Sequence, residues 1–96
     1  MYIYFLQGVD GGPIKIGISK SIRARIKQIQ ANSPVQLRVI GLCRGTSRDE
    51  ANFHKQFAEF RLHGEWFSDC EQIQETVNKV GICEMLILVQ DERRKE

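Results

Sequence analysis

Two short runs of alternating residues, joined by a segment crowded with turn formers, constrain this chain more than anything else in it. Tyr2 to Gln7 is aromatic and β-branched, Gly8-Val9-Asp10-Gly11-Gly12-Pro13 is dense in turn residues, and Ile14 to Ser19 alternates with a period of two. Together they predict a β-hairpin. Ile14, Ile16 and Ile18 share one face of the second strand, so Lys15 and Gly17 lie on the other. A pairing that sets Ile3 and Phe5 beside those isoleucines places Tyr4 on the face of Lys15. A one-residue slip would put Tyr4 among the isoleucines and expose Phe5, so the hydrophobic pattern selects the first register.

The remaining elements follow by the same logic. Lys20 to Ala31 predicts a helix with Ser19 or Ser21 as cap and Ile22, Ile26 and Ile29 as its buried stripe, ended by Asn32-Ser33-Pro34. Val35 to Arg44 predicts a strand. Ser47-Arg48-Asp49-Glu50 has capping-box spacing and opens a helix expected to run to about Phe60. Ser68-Asp69-Cys70-Glu71 repeats that signal and opens a helix ending near Gly81. Ile82 to Val89 fits either a strand or a helical extension. Ninety-six residues, 42% hydrophobic and 27% charged, suffice for one soluble core and not two. The expectation is therefore one α+β domain over 1–90, a small three-stranded antiparallel sheet packed with helices in the order β-β-α-β-α-α, with a polar tail at 91–96.

Composition narrows the function classes. The longest apolar run, Met85 to Val89, is far below the roughly 18 residues a membrane span needs. Met1 runs directly into a strand-like Tyr-Ile-Tyr-Phe, so no secretory leader is expected. Cys43, Cys70 and Cys83 form no C-x-x-C pair, which argues against a disulfide framework or zinc finger and fits a reducing cytoplasm, nucleoid or nucleus. Charge is asymmetric: residues 1–48 carry eight Lys/Arg against the single acid Asp10, a net +7, and residues 49–96 carry six against eleven, a net −5. A basic half points to an anionic partner, of which nucleic acid is the commonest polymer; the alternative is a solvated basic helix that binds nothing.

Several residues do not fit a plain core. On the helix expected after Ser47, Glu50, His54, Phe57 and Arg61 fall within one arc, flanked by Phe53 and Phe60. Ionisable groups in an apolar stripe need a partner, a metal or a ligand. An internal Glu50–His54 or Glu50–Arg61 network that only ties two helices together would serve equally. Arg25 lies nearest the Ile22/Ile26/Ile29 stripe, whereas Arg23 and Lys27 point away. It either reaches over the sheet or packs its stem on aliphatic neighbours. Trp66 and Phe67, in Gly64-Glu65-Trp66-Phe67, form a hydrophobic plug or a base-stacking platform. Glu65 suits a metal site or the electrostatics of a helix start. His54 and His63 lie nine residues apart without a third ligand, which argues against zinc.

Taken in order, Tyr2-Ile3-Tyr4, Lys15-Ile16-Gly17, Arg25 and Glu50-x-x-x-His54 resemble the GIY-YIG nuclease superfamily. Tyr4 matches the tyrosine closing the first motif, Lys15 replaces the first tyrosine of the second, and Arg25 stands where the family has its helix arginine. With Phe57 and Gly64-Glu65-Trp66-Phe67, the pattern is most similar to a branch found in phage and prophage proteins and in a fungal meiotically up-regulated family. The match covers about residues 2–67. Tyr2 stands at the usual first glycine, and the family's late asparagine has no matching position.

The resemblance implies an endonuclease that hydrolyses DNA phosphodiesters, with RNA as an alternative substrate. It implies Tyr4 as general base, Glu50 as ligand of one divalent ion, Mg2+ or Mn2+, and catalytic parts for Lys15, Arg25 and His54. Lys15 and Arg25 are expected to favour the Tyr4 phenolate, and Arg25 to bind the developing phosphorane charge. Lys20, Arg23, Lys27 and Arg61 are the expected nucleic-acid contacts. No attached DNA-binding module fits within the chain, so specificity is expected from a homodimer or a separate partner. Two other readings stand beside this one: a nucleic-acid-binding module of the same fold that cleaves nothing, and an interaction domain whose acidic half docks a basic protein.

Overall fold

The computed structural model describes residues 1–82. Strand β1 (Tyr2–Gly8) and strand β2 (Gly11–Ser19) form the hairpin, followed by helix α1 (Ile22–Ala31), strand β3 (Leu37–Arg44) and helix α2 (Ser47–Gln56). A 3-10 turn at Ala58–Phe60 leads to two short strands, β4 (Arg61–His63) and β5 (Trp66–Phe67), and then to helix α3 (Glu71–Val80). The sheet is antiparallel and five-stranded, ordered β3-β1-β2-β5-β4.

The class is α+β, as the pattern of elements predicts, but the three-stranded sheet and the order β-β-α-β-α-α need correction. The two added strands are three and two residues long, too short for an alternating pattern. The expected helix to Phe60 stops at Gln56, and Arg61 therefore leaves the arc it was expected to share with Glu50 and His54. Gly64 makes the reversal between β4 and β5 with φ at +56°, a conformation glycine adopts without a Cβ penalty. The expected strand or helix after Ile82, the polar tail and Cys83 lie outside the described residues.

Hairpin register follows the hydrophobic pattern. Ile3 faces Ile18, Phe5 faces Ile16 and Gln7 faces Ile14, which leaves Tyr4 opposite Gly17 and Leu6 opposite Lys15 on the other side. Both faces are buried. Ile3, Phe5, Ile14 and Ile16 pack with Phe57, Phe67, Ile73 and Val77, beneath α2 over β2 and α3 over β3. Tyr4 and Leu6 pack with Ile22 of α1 and Leu42 of β3, with Ile26 and Ile29 half-buried beside them. Each such apolar side chain contributes about 1.5–3 kcal/mol when fully buried.

Strand β3 joins both cores through a bulge. Phe5 pairs with Gly41 and Leu6 with Val39, so Ile40 is an extra residue and the alternation resets. Leu37, Val39 and Leu42 thereby serve the α1 face, while Ile40 and Cys43 pack on the opposite one.

Candidate active site

The site is built where β2 runs past the end of β5. Ile14 pairs with Phe67, Lys15 with Trp66, and the Ile16 amide donates to the Glu65 carbonyl at 3.0 Å. There β5 stops. The Gly64-Glu65-Trp66-Phe67 motif is thus a turn followed by a short strand inserted between β2 and the edge strand β4, and the turn carries Glu65 to the strand bearing Lys15. The Lys15 ammonium lies 3.3 Å from Glu65 Oε1 and 5.4 Å from the centre of the Trp66 ring. Phe67 is core, and Trp66 is half-buried against the lysine.

Tyr4 crosses to this edge over Gly17. A Cβ on Gly17 would collide with the Tyr4 hydroxyl and ring, so the glycine opposite Tyr4 is what lets the phenol lie flat across β2. The ring is buried, 2% exposed. Burial above all, and then the Glu65 carboxylate, push the phenol up to about 12; Arg25 pulls it down and Glu50 adds to the rise. Of the two cations expected to favour the Tyr4 phenolate, Arg25 acts in that direction but is outweighed by burial and the carboxylates, and Lys15 is engaged by Glu65.

Helix α2 supplies Glu50 and His54. Thr46 caps it, not Ser47: the Thr46 hydroxyl accepts from the Asp49 amide at 3.2 Å, and the Asp49 carboxylate accepts from the Thr46 amide at 2.8 Å. The Thr46 amide, and next the Thr46 hydroxyl at 3.1 Å, both donate to the Asp49 carboxylate and hold that carboxyl below the usual range. The box sits one residue earlier than expected and leaves Glu50 out of it. The second expected box also fails, because Cys70 is the N-cap of α3 and makes no side-chain cap bond. Asp69 instead accepts from Gln7 and Gln74, tying β1 to the start of α3. Ser21 precedes α1 without a side-chain cap bond.

Glu50 is half-buried, yet its Oε2 atom is fully buried and meets no hydrogen-bond partner among the described residues. Burial, and next the Glu65 carboxylate, raise the Glu50 carboxyl above its usual range against the pull of His54 and Lys15. His54 Nε2 lies 2.9 Å from the Ile16 carbonyl, and its ring meets Phe67 edge-on at 5.0 Å. Ligand atoms of Glu50, His54 and Glu65 all lie within 4.8 Å of one another. Two carboxylates and an imidazole, one oxygen of them orphaned, suit a divalent cation.

The structure thus gathers Tyr4, Lys15, Glu50, His54 and Glu65, with Arg25 in electrostatic reach. Glu65 is the member that the sequence left between a metal site and helix-start electrostatics; its signal was the Glu-Trp-Phe run, legible as a turn and strand only once β2 offers it a partner. The other basic residues divide. Lys20 and Arg25 are exposed and line a groove of about 680 Å3 with Ile18, Ser19, Ser21 and Gln28. Arg23, half-buried, and Lys27, exposed, line a different and apolar groove of about 730 Å3 between α1 and β3. Arg61 is apart from both, on β4, where its Nε donates to the Gly64 carbonyl at 2.7 Å.

No described helix is long and apolar enough to cross a membrane. No curated protein and no solved structure matched the chain on comparison. Residues 1–81, which include every member of the site, match the T5orf172 domain, a phage-associated domain related to GIY-YIG-like nuclease folds. The chain belongs to the T5orf172 domain family.

Proposed function

We propose that this chain is a metal-dependent endonuclease acting on DNA. The observation that carries the reading is the buried, unpaired Oε2 of Glu50 in one cluster with the Tyr4 phenol and the Lys15 ammonium. A structural carboxylate at that depth would be paired, because leaving it alone costs about 1–3 kcal/mol or more.

Phosphodiester hydrolysis needs a nucleophilic water, relief of charge on phosphorus and help for the leaving oxygen. Tyr4 Oη, as the phenolate left once its own proton has passed to solvent, takes the proton of the attacking water. Arg25 binds the non-bridging oxygens through its planar fork, and Lys15 adds a second positive charge at the same sheet edge. Glu50 holds the divalent ion, Mg2+ or Mn2+, which when bound polarises the phosphate and stabilises the leaving oxygen. Glu50 and Glu65 both raise the Tyr4 phenol, so neutralising them leaves Arg25 to draw it down against burial alone. Base function at Tyr4 is thereby tied to neutralisation of the two carboxylates. Lys20, beside Arg25 in the same groove, contacts the flanking backbone.

The test is incubation with supercoiled DNA in Mg2+, in Mn2+ and in chelator. Metal-dependent nicking, lost in both Glu50→Ala and Tyr4→Phe, is the expected result. A second reading has its own support: a phenol held at about 12 and a lysine paired to glutamate describe a site at rest, as a binding module would keep it. Salt-sensitive DNA binding without cleavage in any metal would select that reading.

A further inference from the structure

We propose that Glu65 and His54 join Glu50 as direct ligands, making a three-ligand Glu/His/Glu centre that favours Mn2+ and similar transition ions over Mg2+. The inference rests on the proposed function and deepens it, since that reading requires only Glu50 at the ion.

Three independent features converge on this centre. The ligand atoms of all three side chains lie within 4.8 Å of one another, a spread that side-chain rotation can close around one ion. Glu50 Oε2 is buried and finds no partner among the described residues. His54 Nε2 sits 2.9 Å from the Ile16 carbonyl, which can only accept, so Nε2 is the donor. In the neutral imidazole the lone pair then stands on Nδ1, and a ring held by a backbone carbonyl through its other nitrogen is the usual arrangement of a metal-bound histidine.

Glu65 has an oxygen to spare. Its Oε1 takes the Lys15 ammonium, which leaves Oε2 for the centre. One carboxylate would then connect the ion to Lys15 and hold that ammonium at the sheet edge. An imidazole ligand sets the metal preference: Mg2+ takes oxygen donors and keeps its waters, whereas later divalent ions bind nitrogen with increasing strength.

Titration of the whole chain with Mn2+, without DNA, reads binding from the electron paramagnetic resonance signal of the free ion. The wild type should bind one Mn2+, displaced by Mg2+ only at about tenfold or greater excess. Glu65→Gln and His54→Gln should each weaken binding by about tenfold or more, and Glu50→Gln should abolish it. His54→Gln keeps an N–H for the Ile16 carbonyl, and circular dichroism confirms that each variant is folded. If Glu65→Gln and His54→Gln bind Mn2+ as the wild type does while Glu50→Gln does not, the three-ligand centre is wrong and the single-glutamate nuclease stands. If the wild type takes up no Mn2+ at millimolar concentration, the centre is likewise wrong, and nicking of DNA in Mg2+ judges the enzyme separately.

Discussion

Tyr4 and Gly17 share one small volume, and much of the site's chemistry follows from that contact. Any side chain at position 17 occupies the place of the Tyr4 ring. Gly17→Ala should destabilise the fold by about 1–3 kcal/mol through overpacking and, by moving the phenol off the edge of β2, suppress nicking as fully as Tyr4→Phe does. Thermal melts beside the nicking assay separate the two effects, because Tyr4→Phe should leave stability nearly intact. The buried phenol also gives a pH signature. Tyr4 keeps its proton to about pH 12 in the folded chain, against 10.0 for a free tyrosine. Its contribution to stability is therefore fully present below pH 10 and is lost as pH rises through about 12. Ultraviolet titration of Tyr2→Phe, which leaves Tyr4 as the sole phenol, should place the absorbance change near 12; a midpoint near 10 would sink the description of Tyr4 as buried. Glu50 is raised as well, so its contribution is present below 4.5 and lost as pH rises through its higher folded value. Above that folded value the ionised Glu50 opposes folding, and Glu50→Gln should raise Tm in the pH range where the wild-type carboxyl is ionised. The gain should vanish near pH 3, where both chains are neutral at this position.

At the scale of elements, the start of α2 decides that Glu50 stays out of the cap. Thr46 and Asp49 close the capping box, and the next residue enters the site. Thr46→Ala should lower Tm by about 2–5 °C. The part contributed by the Asp49 carboxylate is present above 3.8 and lost as pH falls through its lowered folded value, so melts of wild type and Thr46→Ala should converge in acid. The sequence placed this box at Ser47 and Glu50 because both registers satisfy the same spacing, and only the backbone shows that Thr46 and Asp49 close it. Strand β2 begins at Gly11, inside the expected turn, because glycines and a proline hide strand geometry from the pattern. The hairpin's register was legible, since a period of two over Ile14, Ile16 and Ile18 admits one register with Ile3 and Phe5 buried. The bulge at Ile40 was not, because an inserted residue erases the alternation that would reveal it. Nor were β4 and β5, whose five residues acquire strand geometry from pairing with β2 and with each other. That one omission also left Glu65 between two readings and misplaced Arg61. Tyr4, Lys15, Glu50 and His54 could be placed on their faces from sequence because each lies on an element whose periodicity is long enough to read.

Across the whole molecule, the basic half of the chain does not form one surface. Lys20 and Arg25 line the groove beside Ile18 and Ser19, on the side from which Arg25 acts on Tyr4. Arg23 and Lys27 border the apolar groove against β3, and Arg61 is held by the turn at Gly64. A phosphate backbone threaded through the site therefore meets Lys20 and Arg25 first, and the rest only if a second strand wraps around α1. Each phosphate neutralised by a side chain adds about 0.9 to the slope of log binding constant against log salt for duplex DNA. Replacing Lys20 and Arg25 together by alanine should flatten that slope by about 2, whereas Arg61→Ala should leave it unchanged. The slope for Arg23→Ala with Lys27→Ala then reports how much duplex is engaged. No flattening confines the DNA to the groove of Lys20 and Arg25, and a further fall of about 2 extends the interface around α1 to the β3 side. Fluorescence anisotropy across a salt series, with Glu50→Gln in every variant to prevent cleavage, measures all three. A slope that resists the Lys20/Arg25 pair but yields to Arg61 would place the nucleic acid on β4, away from the tyrosine, and remove the ground for reading this cluster as its active site.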